Sequence, residues 1–69
     1  MSDGISIQLN GKQCSISAQT LEELVTELSL EKRMIAIERN LEVVPKSQYH
    51  ATYLQEGDRI ELVHMIGGG

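Results

Sequence analysis

An Asn-Gly pair between two alternating segments is the feature that most restricts how this chain folds. Residues 5–9, ISIQL, alternate apolar and polar side chains, and residues 14–17, CSIS, resume the same alternation. A period of two is typical of a half-buried β-strand. Asn10-Gly11 tolerates the positive φ angles of a two-residue turn. Residues 5–17 are therefore predicted to form a β-hairpin.

A helix is predicted to follow the hairpin. Thr20 stands three residues before Glu23, which is the spacing of a capping box. The next apolar residues recur at i, i+3, i+4 and i+7 and so share one face of a helix. They are Leu21, Leu24, Val25 and Leu28. The intervening polar residues are expected to face water, so the helix can cover one side of a sheet.

The second half of the chain predicts short strands and turns. Ile35-Ala36-Ile37 is apolar enough for a central third strand, and Pro45 ends a short return strand because it lacks a ladder N–H. The further predicted elements are a return strand at 41–44, one helical turn at 46–49, an edge strand at 51–54, a turn at 55–58 and a last strand at 59–64. This order, without βαβ alternation, indicates an α+β domain with one mixed sheet packed on one helix.

Length, charge and cysteine content exclude several classes of protein. A chain of 69 residues is expected to form one domain, residues 1–69. Domains of this size bury only about 60% of the surface that their unfolded chain exposes. Little room is therefore left for an enclosed active site. The net charge is −4 and the six basic residues are scattered, so nucleic-acid binding is disfavoured. One cysteine, Cys14, excludes an intramolecular disulfide and a multi-cysteine metal site.

The sequence also favours a cytoplasmic location. No basic segment or long apolar run stands at the start of the chain, and no apolar stretch of about 18 residues occurs anywhere in it. Neither secretion nor a membrane partner is expected. The isolated chain is expected to be a monomer.

Three glycines, Gly67-Gly68-Gly69, follow the predicted last strand with little spacer. One interpretation is a frayed end in which the sequence hardly matters. The other is a strap without side chains that carries the terminal carboxylate into a partner's narrow cleft, since glycine suits close backbone approach. The tail alone supports both interpretations equally. Residues 66–69 are expected to form this extended tail.

Together these features resemble a known family. The hairpin, the capped helix, the turn and strand EGDRIEL at 56–62 and the terminal glycines are similar to the ubiquitin-like (β-grasp) sulfur carriers. The opening pattern Ile-x-Leu-Asn-Gly-Lys and the ending VHMIGGG at 63–69 most resemble the ThiS-type carriers of thiamine biosynthesis. The resemblance covers almost the whole chain.

The resemblance implies a function for the tail. In that family a ThiF-type adenylyltransferase uses ATP and Mg to convert the terminal carboxylate into an acyl-adenylate. A sulfur donor such as a cysteine desulfurase system then leaves a thiocarboxylate, and a ThiG-type thiazole synthase accepts the sulfur. Carried onto this chain, the reactive carboxylate belongs to Gly69, Gly68 matches the other family glycine and Gly67 extends the tail. The chain would be a co-substrate that binds no cofactor itself, and not an enzyme.

Alternation in the last strand predicts where partners dock. Ile60 and Leu62 should face the helix, which turns Val63 and Met65 outward. With Ile66 these two residues would form an exposed apolar patch beside the tail. His64 is a further candidate for partner contact because it adjoins the tail.

Other residues favour structural roles, and two related functions stay open. Cys14 is expected to be a buried structural thiol. His50 and His64 lack metal-ligand spacing, so no metal site is expected. The small subunit of molybdopterin synthase is an alternative function, although this chain lacks the aromatic and proline residues which that family carries before its Gly-Gly. A ubiquitin-like protein modifier is a second alternative function. A domain that only binds a partner is the simplest alternative function.

Overall fold

The computed structural model describes residues 4–64, which form a five-stranded mixed sheet with one α-helix packed on it. The elements in chain order are β1 (Ile5–Leu9), β2 (Lys12–Ile16), α1 (Leu21–Glu27), β3 (Ile35–Arg39), β4 (Glu42–Val44), a 3₁₀ helix (Lys46–Ala51) and β5 (Arg59–His64). The strand order is β2-β1-β5-β3-β4. β1 and β5 are parallel, and the other neighbouring strands are antiparallel. The predicted α+β architecture is confirmed.

The N-terminal hairpin is confirmed together with its turn. Leu9 pairs with Lys12, and the two turn residues between them, Asn10 and Gly11, have φ values of 51° and 84°. Alternation then buries Ile7 and Ile16 on one side of the sheet. The turn therefore sets the register that decides which face of β1 and β2 enters the core.

A second hairpin, between β3 and β4, uses the same kind of turn with a less suitable residue. Asn40 has a φ of 52° and Leu41 a φ of 72°. A left-handed conformation costs a residue with a Cβ atom about 1–2 kcal/mol, which glycine avoids. The Leu41 side chain is 71% exposed, so burial does not offset this cost.

Replacing Leu41 by glycine is therefore expected to raise the free energy of unfolding by about 0.5–1 kcal/mol. Relief of the left-handed strain outweighs the extra unfolded-state entropy of glycine, which costs about 0.4–1 kcal/mol. Urea unfolding followed by circular dichroism measures the change. Leu41→Ala is the matched control because it keeps a Cβ atom, and an equal gain in that variant would refute the explanation.

Helix α1 begins as its sequence predicts, with one difference. The Thr20 hydroxyl accepts a hydrogen bond from the Glu23 N–H at 3.1 Å. The Glu23 carboxylate accepts from the N–H of Gln19 at 2.8 Å, one residue earlier than in a standard capping box. Leu21 and Leu24 are completely buried, which confirms the predicted apolar face.

The core lies between α1, the 3₁₀ helix and one face of the sheet. Its completely or almost completely buried side chains come from strands and helix alike: Ile7, Leu21, Leu24, Ile37 and Ile60. Tyr49 of the 3₁₀ helix closes one end and is the only aromatic residue of this core among residues 4–64. Burial raises the pKa of Tyr49 above its ordinary value. A largely aliphatic core therefore fixes β5, through Ile60, in the middle of the sheet.

Three details of the prediction differ from the structure. The expected edge strand at 51–54 is a single bridge between Thr20 and Tyr53, because its backbone bonds to the segment that leads into α1 and not to the sheet. The central strand is β5, while β3 lies one position toward the edge. Cys14 is half-buried and packs against the core rather than inside it.

In the part of the chain that the structure describes, no helix is long and apolar enough to cross a membrane.

Candidate functional site

Strand β5 pairs with its two neighbours over different lengths, and only β3 pairs with the end of β5. Toward β3, pairing continues to the last residue of β5, where Ile35 lies opposite His64. Toward β1, strand pairing covers only the start of β5, at Arg59 and Ile60. Strand β5 thus carries the chain past the end of β1 and leads directly to residues 65–69.

The turn residue Asn10 extends the support of β5 beyond β1. Its backbone N–H donates to the carbonyl oxygen of Ile60 at 2.9 Å. Its side-chain Oδ1 accepts a hydrogen bond from the N–H of Leu62 at 2.8 Å. A side chain thus replaces the ladder bond that the next residue of β1 would have made. Asn10 therefore both permits the hairpin turn and fixes the direction of β5.

Asp58 stabilises the turn that leads into β5 through hydrogen bonds to its side chain. The Asp58 side chain is 8% exposed, and its carboxylate accepts hydrogen bonds from Arg39 Nε at 2.9 Å, Asn40 Nδ2 at 3.1 Å and the Gln55 N–H at 2.9 Å. Asn40 Oδ1 in turn accepts from the N–H of Arg59 at 2.9 Å. The network joins the turn before β5 to the turn after β3.

The network also sets the acidity of Asp58. Burial by itself raises the pKa of this carboxyl group. The hydrogen bonds from Gln55, Asn40 and Arg39, together with the positive charge of Arg39, outweigh burial and lower the pKa below the ordinary value of 3.8. The sequence showed Asp58 only as a turn residue, and no local pattern there indicates partners 18 and 19 positions away.

Strand β5 presents its two faces as alternation predicts. Ile60 is completely buried and Leu62 is partly buried against the core, whereas Val63 points away from the helix and is 52% exposed. Ala36 of β3 lies opposite Val63. His64 is exposed, and as the next residue in the strand it points to the face opposite that of Val63. Val63 therefore lies on the face of the sheet turned away from α1, and His64 lies on the helix side.

A groove lies on the helix side of the sheet near this end of β5. Its volume is about 510 Å³, and Ile35, the neighbour of His64, is one of its walls. Val25, Met34 and Tyr49 provide further apolar lining, and charged side chains surround it. The end of β5 thus lies near an apolar groove on the helix side of the sheet and presents the exposed Val63 on the other side.

The remaining predicted site residues are Met65, Ile66, Gly67, Gly68 and Gly69, and all five lie outside the described residues. Among residues 4–64, no group of three or more His, Cys, Asp or Glu side chains is placed to hold a metal ion. His50 is exposed in the 3₁₀ helix, and His64 ends β5.

Comparisons with known proteins agree with this architecture. The family model of the ThiS family matches residues 7–69. The sulfur carrier protein ThiS of Bacillus subtilis is 38% identical over 65 residues, which cover 91% of this chain and 98% of that protein. The crystal structure of the thiamine biosynthesis protein ThiS from Geobacter metallireducens superposes with a TM-score of 0.82 at 26% identity, covering 94% of this chain and all of that one.

A larger protein contains a similar segment. A thiazole synthase of Paramagnetospirillum magneticum is 44% identical over 66 residues, which are 94% of this chain and 20% of the enzyme. This chain therefore spans about a fifth of the thiazole synthases that it matches. The family match over residues 7–69, the near-complete coverage of the Bacillus protein and the shared β-grasp fold lead to one conclusion: the chain belongs to the ThiS family of sulfur carrier proteins.

Proposed function

We propose that this chain is the sulfur carrier of thiamine biosynthesis and that its working group is the C-terminal carboxylate of Gly69. The observation that carries the proposal is the ThiS family match, which extends through the three glycines to Gly69. The geometry of β5 supports it, because a strand in the centre of the sheet leads to those glycines. In this role the protein is a co-substrate that other enzymes act on in turn.

The chemistry requires activation of the carboxylate. Sulfur attack on a free carboxylate would have to expel oxide, which is a very poor leaving group. An oxygen of the Gly69 carboxylate therefore attacks the α-phosphate of ATP, forms the acyl-adenylate and releases pyrophosphate. The terminal sulfur of a donor persulfide then attacks the acyl-adenylate and displaces AMP, which leaves an acyl disulfide. A thiol attacks the donor-side sulfur of that disulfide, so the S–S bond breaks, the thiol and the donor become joined by a new disulfide, and a thiocarboxylate remains on Gly69. That group is a soluble, nucleophilic form of sulfur.

The partners follow from this reaction sequence. ATP and Mg are bound by a ThiF-type adenylyltransferase, and a cysteine desulfurase system is the sulfur source. A thiazole synthase is the acceptor, which is supported by the segment similar to this chain within the thiazole synthase of Paramagnetospirillum magneticum. All of these proteins are expected in the cytoplasm.

Binding to these enzymes must come mainly from the folded domain. Ordering backbone costs about 1–2 kcal/mol per residue, so fixing Gly67, Gly68 and Gly69 costs about 3–6 kcal/mol. Glycines have no side chains whose burial could recover this energy. Val63, Met65 and Ile66 are therefore proposed as the apolar docking residues beside the tail, and His64 as a contact on the other face.

Pyrophosphate release tests the proposal. The native chain, incubated with its adenylyltransferase and Mg-ATP, is expected to release one pyrophosphate per carrier molecule in a single-turnover assay. A chain without Gly69 should release almost no pyrophosphate, because its terminal carboxylate then belongs to Gly68 and its tail is one residue, or about 3.4 Å, shorter. Its circular dichroism spectrum should stay unchanged. Equal release by both chains would contradict the assignment of Gly69.

A further inference from the structure

Two asparagines contact β5 through the same kinds of hydrogen bond. Asn10 follows β1 and Asn40 follows β3, and both have left-handed backbones, with φ values of 51° and 52°. Asn10 donates its backbone N–H to the carbonyl oxygen of Ile60 at 2.9 Å, and its Oδ1 accepts from the N–H of Leu62 at 2.8 Å. Asn40 donates its N–H to the carbonyl oxygen of Arg59 at 2.8 Å, and its Oδ1 accepts from the N–H of the same residue at 2.9 Å. Asn40 therefore contacts the start of β5, and Asn10 contacts its second half.

The hairpin turn alone does not require the side chain of Asn10. A Gly-Gly pair also forms a two-residue turn with positive φ angles. Asn10 is exposed and Leu62 is only partly buried, so water can reach the Leu62 N–H when the asparagine side chain is absent. Losing this bond therefore leaves no deeply buried donor without a partner. The bond between Asn10 Oδ1 and Leu62 thus matters mainly for the position of β5 and less for the stability of the fold.

The last residues of β5 are the part of the sheet with the fewest neighbouring strands. Among residues 4–64, β1 pairs with β5 only as far as Ile60, and β4 pairs with β3 only as far as Ile37. Residues 63–64 therefore pair with β3 in a two-stranded ribbon. Such ribbons twist more than strands inside a larger sheet. Leu62 directly precedes this ribbon, so the Asn10 side chain holds β5 at the point where the ribbon begins.

We propose that Asn10 is a positioning residue for adenylation: through Leu62 it fixes the direction in which β5 leaves the sheet. Five residues follow His64 in the chain, and a segment of that length spans about 17 Å when extended. A rotation of about 10° at its start moves its far end by about 3 Å. A misplacement of about 1 Å in an active site can lower a rate about 100-fold. This inference rests on the proposed function and adds a residue outside the tail to it.

Two substitutions separate positioning from the turn and from stability. Asn10→Gly keeps the positive φ angle but removes the acceptor for the Leu62 N–H, whereas Asn10→Asp keeps both. Asn40→Gly is the matched control at the start of β5. It removes the bond to Arg59 and also the bond to the buried carboxylate of Asp58, so it should lower the thermal midpoint more than Asn10→Gly does.

The test measures pyrophosphate release over a range of carrier concentrations, which separates kcat from KM. For Asn10→Gly we expect kcat to fall at least about tenfold with KM within about twofold of native, because the docking residues are unchanged and the terminal carboxylate is misplaced. Asn10→Asp should restore kcat to within about threefold of native, since its carboxylate accepts from the Leu62 N–H. Asn40→Gly should keep the native kcat despite its lower thermal midpoint.

Amide hydrogen exchange of the free protein gives a readout that does not depend on the enzyme. Exchange of the Leu62 amide, relative to that of the buried Ile37, should be faster in Asn10→Gly and native-like in Asn10→Asp and Asn40→Gly. A native kcat in Asn10→Gly, the same loss in Asn10→Asp, or the same loss in Asn40→Gly would each overturn the inference alone. Failure of the native chain to release pyrophosphate would overturn the proposed function and, with it, this inference.

Discussion

Replacing Asp58 by alanine is expected to lower the free energy of unfolding by about 2–3 kcal/mol. The variant loses a buried carboxylate that accepts three hydrogen bonds. A hydrogen bond to a charged group contributes about 1.5–3 kcal/mol, and the three donors left without the carboxylate can regain part of this energy from other partners. Water can reach Arg39, whose side chain is 28% exposed, so the losses do not add fully. Urea unfolding followed by circular dichroism measures the change.

The loss is large relative to the whole stability of the domain. At about 0.05–0.15 kcal/mol per residue, a chain of this length has about 3–10 kcal/mol in total. Glu42→Ala removes an exposed carboxylate on a neighbouring strand and serves as the control, with an expected change within about 0.5 kcal/mol. A similarly small effect of Asp58→Ala would show that the network does not stabilise the fold.

The same carboxylate gives stability a defined pH dependence. The pKa of Asp58 is lower in the folded protein than its ordinary value of 3.8. Its contribution is therefore complete above the unfolded-state pKa and decreases as the pH falls through 3.8 toward the folded-state pKa. Native protein should lose more stability than Asp58→Asn over this acidic range when both are titrated at fixed urea. Parallel curves would contradict the assigned pKa shift.

The double variant Val63→Glu, Met65→Glu is expected to reduce kcat/KM for adenylation at least 100-fold. Each apolar side chain lost from an interface removes about 1.5–3 kcal/mol of burial energy, and each tenfold loss corresponds to 1.4 kcal/mol. The introduced carboxylates add a desolvation penalty. Pyrophosphate release at low carrier concentration measures this ratio.

The control for this variant is an exposed apolar residue away from the end of β5. Leu41→Glu places a carboxylate at a side chain that is 71% exposed in the β3–β4 turn. It should leave adenylation within about twofold of native, and both variants should keep the native circular dichroism spectrum because surface substitutions change stability little. Normal adenylation of the double variant would remove the apolar docking surface from the account.

Much of the fold could be predicted because its signals are local. Asn10-Gly11, the alternation around it and the Thr20–Glu23 spacing each require a few neighbouring residues, and the structure confirms the elements they predict. Alternation in β5 likewise predicts the exposure of Val63. The Asn40–Leu41 turn was harder to identify, since a leucine in a left-handed conformation has no sequence signal.

The non-local parts of the site could not be predicted in this way. Asp58 gains its partners only when the turns before β5 and after β3 meet, and Asn10 becomes the partner of Leu62 only through the pairing of β1 with β5. Strand order and register come from packing of the whole core. Similar limits apply to the 51–54 segment, which bonds to the chain before α1 instead of the sheet.

The intact mass of the protein tests most directly whether Gly69 carries sulfur. The native chain is incubated with its adenylyltransferase, Mg-ATP and a sulfur donor, and the chain without Gly69 is treated identically. We expect a mass increase that matches replacement of one oxygen by sulfur, located on the C-terminal peptide and absent from the shortened chain. An unchanged mass, with the adenylyltransferase shown to be active on another carrier, would contradict the sulfur-carrier account.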